Sequence, residues 1–387
     1  MLYNLLQATS DRIDDWGLYS LLEVLYYIEF RAFVAALLSF GLVLAFGRGV
    51  IRWLIRQKIG DSPEFYHADL NELMASKTAT PTMGGILIVG ATLLTMLLLA
   101  DLRNRYVIIA FFVLGWLALL GGADDWLKLT SARRAPGSRE GLHPWEKLLF
   151  QLGIGAVAGL FLFRHGIANE TTRVLTLPLQ RTYRPGTMEL EHGVLVLGGF
   201  AFVLISMLLI AGTSNAVNLT DGMDGLAAGT LTVASFALMV LCFIAGSVET
   251  AKFLNFPHID GAAELMIVTG AMAGGCLGFL WFNCAPAQVF MGDTGALPLG
   301  GLMAYIAMAI RQEILLLIIC GVFFMEMASV IIQVAYFKST KGQRVFRCSP
   351  VHHHFHLGGW SEQQVVTRFW VLAVVFAMIA LVSIKLR

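Results

Sequence analysis

Ten apolar runs, each near the length that crosses about 30 Å of hydrocarbon, fill most of the chain and leave it little choice of fold. They lie at approximately 24–46, 82–100, 106–123, 147–163, 194–211, 225–246, 263–281, 296–310, 314–337 and 367–385. Lipid offers no partner to a free N–H or C=O, so runs of this length must become helices. Only 14% of the residues are charged and the mean hydropathy is +0.72, whereas soluble domains are about a quarter charged. The expected fold is therefore an all-α polytopic membrane protein of about ten transmembrane helices. No Pro- or Ser-rich linker divides it, so residues 1–387 read as a single integral membrane domain. A net charge of +1 gives no basic face for a nucleic acid. Met1 to Ser20, with Asp11, Asp14 and Asp15, is unlike a cleavable signal peptide.

Ten crossings put both termini on one side and the loops after odd-numbered crossings on the other. Lys77, the Asp124–Asp125 pair, a row of Asn215, Asn218, Asp221 and Asp224, then Asp293, and finally His352–His354 all fall in odd loops. Basic residues lean the same way, about 15 in and beside the odd loops against about 12 elsewhere, which makes those loops cytoplasmic and the termini periplasmic. On the periplasmic side, alternation around Pro185–Gly186 within 173–193 predicts a small β-hairpin, and 1–20 an amphipathic surface helix. The five cysteines (Cys242, Cys276, Cys284, Cys320 and Cys348) show no CxxC spacing and read as small core residues.

The Asn/Asp row lies between two apolar runs and recurs at every third position, so its side chains share one side of a helix or tight turn. Gly222 and Gly225 let backbone approach a ligand closely. An acid inside a membrane helix costs about 3 kcal/mol on insertion scales, so several of them need a function or a cap to explain them. Lys77 precedes Thr80-Pro81-Thr82-Met83-Gly84-Gly85, where Thr80 reads as an N-cap and Pro81 as a first helical residue, a setting suited to phosphate. Asp124 and Asp125 need a cation or Lys128, four and three residues on; carboxylate oxygens with retained water suit Mg²⁺. Asp293, between Gly292 and Gly295, reads as a tight turn with an exposed carboxylate. Asn283 and Phe290 offer an amide and a ring to a planar base. Three contiguous histidines cannot easily turn to one Zn²⁺, but imidazoles can donate to a phosphate or carry its proton.

Taken in order, Lys77–Gly85, Asp124–Lys128, Asn215–Leu226, Phe279–Asn283, Met291–Gly295 and Pro350–Phe355 resemble the phospho-N-acetylmuramoyl-pentapeptide-transferase family. That family lies within the polyprenyl-phosphate N-acetylhexosamine-1-phosphate transferases, and the resemblance covers essentially the whole chain. It implies transfer of phospho-MurNAc-pentapeptide from UDP-MurNAc-pentapeptide to undecaprenyl phosphate, with UMP released and Mg²⁺ as cofactor. It also implies a homodimer in membrane lipid, in the bacterial inner membrane, with the active site facing the cytoplasm. By the same resemblance Asp293 is the first Mg²⁺ ligand, completed by Asp124 and Asp125, and Asp124 is the base on the lipid phosphate. Lys77 and the catalytic His352 meet phosphates, while Asn283, Phe290, Asp224 and the Gly222–Met223 backbone hold uridine. Asn218, Asp221, Gln333 and His353 line the sugar and peptide; Thr82, Lys128, Asn215 and His354 are further substrate contacts. A sister enzyme moving GlcNAc-1-phosphate is the nearest rival, which the triple histidine opposes. An ion-coupled transporter would place its acids near mid-bilayer, not at one face.

Overall fold

The computed structural model describes residues 1–9, 23–57, 80–130 and 141–385. Its helices in order are α1 (Leu2–Ala8), α2 (Ile28–Arg56), α3 (Gly85–Leu99), α4 (Arg105–Thr130), α5 (Pro144–His165), α6 (Gly199–Thr220) and α7 (Leu226–Gly246). They continue with α8 (Val248–Phe253), α9 (Leu265–Asn283), α10 (Asp293–Ala309), α11 (Glu313–Ile319), α12 (Gly321–Ser339), α13 (Val351–Leu357) and α14 (Glu362–Lys385). Among the described residues eight helices are long and apolar enough to cross a membrane. The chain is an all-α polytopic membrane protein, and each of the ten apolar runs is helical.

Three runs depart from simple crossings. The second yields only the 15 residues of α3 and the eighth the 17 of α10, and 15 residues rise only about 22 Å. The ninth breaks at Cys320 into α11 and α12. Pro81 does not open a helix, contrary to the sequence reading: α3 starts at Gly85, because the preceding backbone is used elsewhere. The Pro81 carbonyl accepts Phe290 N–H, and Gly84 and Gly85 N–H donate to the Phe290 and Met291 carbonyls, all at 2.8 Å. Two non-helical segments, one before each short helix, thus satisfy each other's polar groups, which apolar surroundings require.

The bundle is organised around α9 and α10. Gly270, Gly274 and Gly278 of α9 lie directly on the backbone of Ala32, Ala36 and Phe40 of α2; the four-residue repeat leaves a side-chain-free stripe for close helix contact. All 17 residues of α10 are buried. Gly300 rests on α6 at Thr213 and Ser214, Gly301 on Leu117 of α4, and Gly295 on Gly85 of α3. Small residues on several faces of α10 let its neighbours close in, so its first residue, Asp293, emerges at the centre of one end of the bundle.

The other end is closed by buried ion pairs that the sequence reading passed over. Arg31 pairs with Glu264 at 2.6 Å and Arg311 with Glu313 at 2.7 Å. The expected hairpin is present as a two-stranded antiparallel sheet, β1 (Val174–Leu175) on β2 (Leu195–Val196), with a Tyr183–Leu190 bridge beyond it. Arg311 Nε donates to Val174 O at 2.9 Å and ties the sheet to α10's far end. Of the expected 1–20 surface helix, α1 is present, while 10–20 lie outside the described residues. Cys242, Cys276 and Cys320 are buried and unpaired, as small core residues should be.

Candidate active site

The Asn/Asp row is the hub of this end. Asn215 and Asn218 ride the last turns of α6, Asp221 ends that helix, and Gly225, at φ +81°, opens α7. A left-handed residue is needed there to reverse the chain between two long helices, and glycine supplies it without strain. Each later member then pins a different segment. Asn218 Nδ2 donates to Asp293 Oδ1 at 2.5 Å. Asp221 accepts Gly292 N–H at 3.0 Å. Asp224 accepts Ala287 N–H at 2.9 Å. Gly225 N–H donates to Asn283 Oδ1 at 3.1 Å. Asn215 turns instead to α5, where it donates to Gln151 Oε1 at 2.7 Å.

Asp124, Asp125 and Asp293 come together where α4 meets the amino end of α10. One carboxylate oxygen from each lies within 4.8 Å of the others, and all three residues are buried. Asp293 is thus enclosed, not the exposed turn residue expected. Three buried hard-oxygen donors at this spacing fit a divalent cation, and the positive end of the α10 dipole favours the charge on Asp293. Asp125 holds that helix end in place. Its Oδ2 accepts the Thr294 N–H at 2.8 Å and hydroxyl at 2.6 Å, and its Oδ1 accepts Asp293 N–H at 3.3 Å. It caps α10 from a neighbouring helix, doing for two orphan N–H groups what an N-cap residue does locally. Gly121, one turn earlier on α4, has no side chain to obstruct the approach, since a Cβ there would strike Asp293 backbone.

Two ammonium groups balance the acids. Lys128 Nζ lies 2.8 Å from Asp124 Oδ2 and 3.2 Å from Asp293 Oδ2. Lys147 Nζ lies closer to both, at 2.6 and 2.7 Å. Asp124 Oδ1 takes Leu142 N–H at 2.8 Å. Lys147 was missed in the sequence, where it opens the fourth run and looks like a boundary residue. Pro144 at the start of α5 and a capping box between His143 and Glu146 mark a helix beginning there, which puts a lysine in its first turn. Asp221 is packed round by neighbouring groups although its edge reaches solvent. Loss of water pushes its carboxyl up to about 7, and the charges of Asp293 and Asp125 add to the rise against the Gly292 N–H.

His352 and His353 are buried, not surface groups. His352 and His353 stack edge-on with centroids 4.1 Å apart. A Cβ at Gly222 would come within 2.5 Å of His352 Nε2, so only glycine lets the ring lie against the row. Met223 turns its side chain into an apolar cluster with Val351 and Phe369. His354 leaves the site: its Nδ1 accepts Arg347 N–H at 3.1 Å. Gln333 braces the same loop, accepting Val345 and Phe346 N–H at 3.1 and 2.9 Å. The Asn283 amide is spent on backbone at both ends, its Nδ2 donating to Val289 O at 2.8 Å, so it shapes the turn that carries Phe290. Thr82 is buried with its hydroxyl near the Cα of Gly292. Lys77 lies outside the described residues.

The model of glycosyl transferase family 4 matches residues 106–311. Over 388 residues the chain is 40% identical to the phospho-N-acetylmuramoyl-pentapeptide-transferase of Desulfosudis oleivorans, all of both chains being covered. It is 40% identical to the protein of that name from Desulforapulum autotrophicum, over 95% of this chain and 96% of the other. With that of Desulfotalea psychrophila the identity is 39%, over 94% of this chain and 96% of the other.

Proposed function

The chain belongs to the phospho-N-acetylmuramoyl-pentapeptide-transferase family, and on that footing we propose that it moves phospho-MurNAc-pentapeptide from UDP-MurNAc-pentapeptide to undecaprenyl phosphate in peptidoglycan synthesis. The observation that carries this reading is the meeting of three carboxylates and two ammonium groups at the amino end of α10. An oxygen of the lipid phosphate attacks the sugar-bearing phosphorus, the bond to the uridine-bearing phosphate breaks, and UMP leaves. One phosphoanhydride replaces another, so the step needs little driving force. Asp293, with Asp124 and Asp125 beside it, would hold Mg²⁺, which when bound would offset the negative charge that two phosphorylated substrates bring.

Lys128 and Lys147 face the same carboxylates and are placed to meet phosphate oxygens. Asp124 is the group best set to take a proton from the lipid phosphate, while Asp125 keeps Asp293 in register by capping α10. Asn218 orients Asp293, and Asp221 holds the turn that precedes it. Asp224, Asn283 and Phe290 frame the uridine side; His352 lies toward the phosphates, and His353 and Gln333 toward the sugar and peptide. The single domain works as a homodimer in the bacterial inner membrane, with this end facing the cytoplasm, where a water-soluble UDP-sugar is found.

Release of UMP by purified protein should require UDP-MurNAc-pentapeptide, undecaprenyl phosphate and magnesium together; release without the lipid, or with UDP-GlcNAc in equal measure, would overturn the assignment. Sidedness has its own test. In a Cys284→Ala background, spheroplasts treated with an impermeant maleimide should label Thr187→Cys in the hairpin and spare Lys341→Cys.

A further inference from the structure

Glu326 sits within the apolar run of α12, wholly buried against His352 of α13. Its Oε2 lies 3.1 Å from His352 Nδ1 and 3.4 Å from the His352 backbone nitrogen. Among the described residues its other oxygen, Oε1, has no hydrogen-bond partner. A buried acid is costly, and the side-chain contacts that repay this one all run to a single histidine. Both ring nitrogens are buried without a hydrogen bond of good alignment; Nδ1 lies against Glu326, whereas Nε2 faces Gly222, beside Asp221 in the Asn/Asp row.

A carboxylate beside one ring nitrogen keeps a proton on it and thereby decides what the other nitrogen can offer. Here the proton belongs on Nδ1, which leaves Nε2 to act toward the row. The same pairing occurs wherever an imidazole must be held in one tautomer and one orientation for its chemistry. We infer that Glu326 is a positioning residue that fixes the His352 ring with Nε2 presented to the Asp221–Asp224 turn. This role presupposes the transferase reading above, in which His352 meets the substrate.

A double-mutant cycle in kcat and KM separates orientation from mere packing. Glu326→Met fills the volume without an acceptor oxygen and should lower kcat about tenfold or more with KM little changed. In a His352→Ala background the same change should cost nothing further. Glu326→Gln keeps an oxygen that can accept from Nδ1–H and should stay within about fivefold of wild type, a measurement that stands even if the Met variant does not purify. Equal losses from Glu326→Met with and without His352, wild-type kcat in that variant, or a Gln variant as slow as His352→Ala would each overturn the inference. UMP release by the wild-type chain is the control: if that fails, the transferase reading falls; if it holds and the cycle is additive, only the role of Glu326 falls.

Discussion

Asp125 on one helix caps another: its carboxylate takes both the backbone N–H and the hydroxyl of Thr294, at 2.8 and 2.6 Å. A side chain that satisfies a buried helix end contributes about 1–3 kcal/mol through the donors it would otherwise leave bare. Asp125→Ala should therefore lower the thermal midpoint in detergent by several degrees, and turnover with it. Asp293→Asn keeps those capping bonds, which use its backbone, but gives up its charge beside Lys128 and Lys147, so its midpoint should fall less than that of Asp125→Ala. Differential scanning fluorimetry of the two variants checks the contrast.

Turnover should order the same residues differently. Asp293→Asn removes the carboxylate that the α10 dipole, Asn218 and two lysines all address, and kcat should fall at least about 100-fold. A variant with wild-type kcat and an unchanged magnesium requirement would contradict the metal role assigned to Asp293.

Lys147 competes with any cation for Asp124 and Asp293, which it approaches to 2.6 and 2.7 Å. Lys147→Met should slow UMP release about 100-fold while tightening Mn²⁺ binding, read by electron paramagnetic resonance. Parallel losses of turnover and of metal affinity would mean that the lysine supports the acids instead of opposing the ion.

Asp221 gives a pH signature. Its carboxyl is raised from 3.8 to about 7 in the folded chain, so the native state holds that proton more tightly than the unfolded one. The resulting stability is complete below the unfolded value and disappears as pH rises through about 7. In magnesium-free detergent the melting midpoint should fall as pH rises from about 4 to about 7 and level off above that, and Asp221→Asn should flatten the fall.

Gly222 admits no side chain without displacing His352, whereas a Cβ at Gly212 would meet nothing within 4 Å. Gly222→Ala should cut turnover about tenfold or more and Gly212→Ala should leave it near wild type, since a shift of about 1 Å near reacting groups has that effect. A matched assay of the two purified variants is sufficient.

Acids and amides between apolar runs were legible in the sequence because hydrocarbon makes them conspicuous: Asp124, Asp125 and Asp293 meet, and Asn218 and Asp221 of the row reach Asp293 and Gly292, while Asn215 turns to α5. Lys147 was not, since a lysine at the start of a run looks like an ordinary membrane-edge anchor until its partners across the bundle are seen. Glu326 carried the signal of an acid inside an apolar run, yet its partner lies 26 positions away on another helix. The division at Cys320 and the late start of α3 escaped for a related reason. Both depend on backbone partners, and hydrophobicity does not report where a carbonyl points. The roles of Asn283 and Gln333 as braces show the same limit, because an amide looks alike whether it serves a ligand or a loop.

The reciprocal bonds between the segments before α3 and α10 have a consequence for biogenesis. Residues 81–85 leave the ribosome some two hundred positions ahead of their partners at 290–291, and the nascent chain must keep those polar groups wet or chaperoned meanwhile. The acidic centre cannot take shape until α10 has been inserted, and His352 and Glu326 join later still. A stalled or prematurely ended polypeptide would then hold most of its membrane helices and no working centre, which spares the cell a half-built enzyme competing for its lipid carrier.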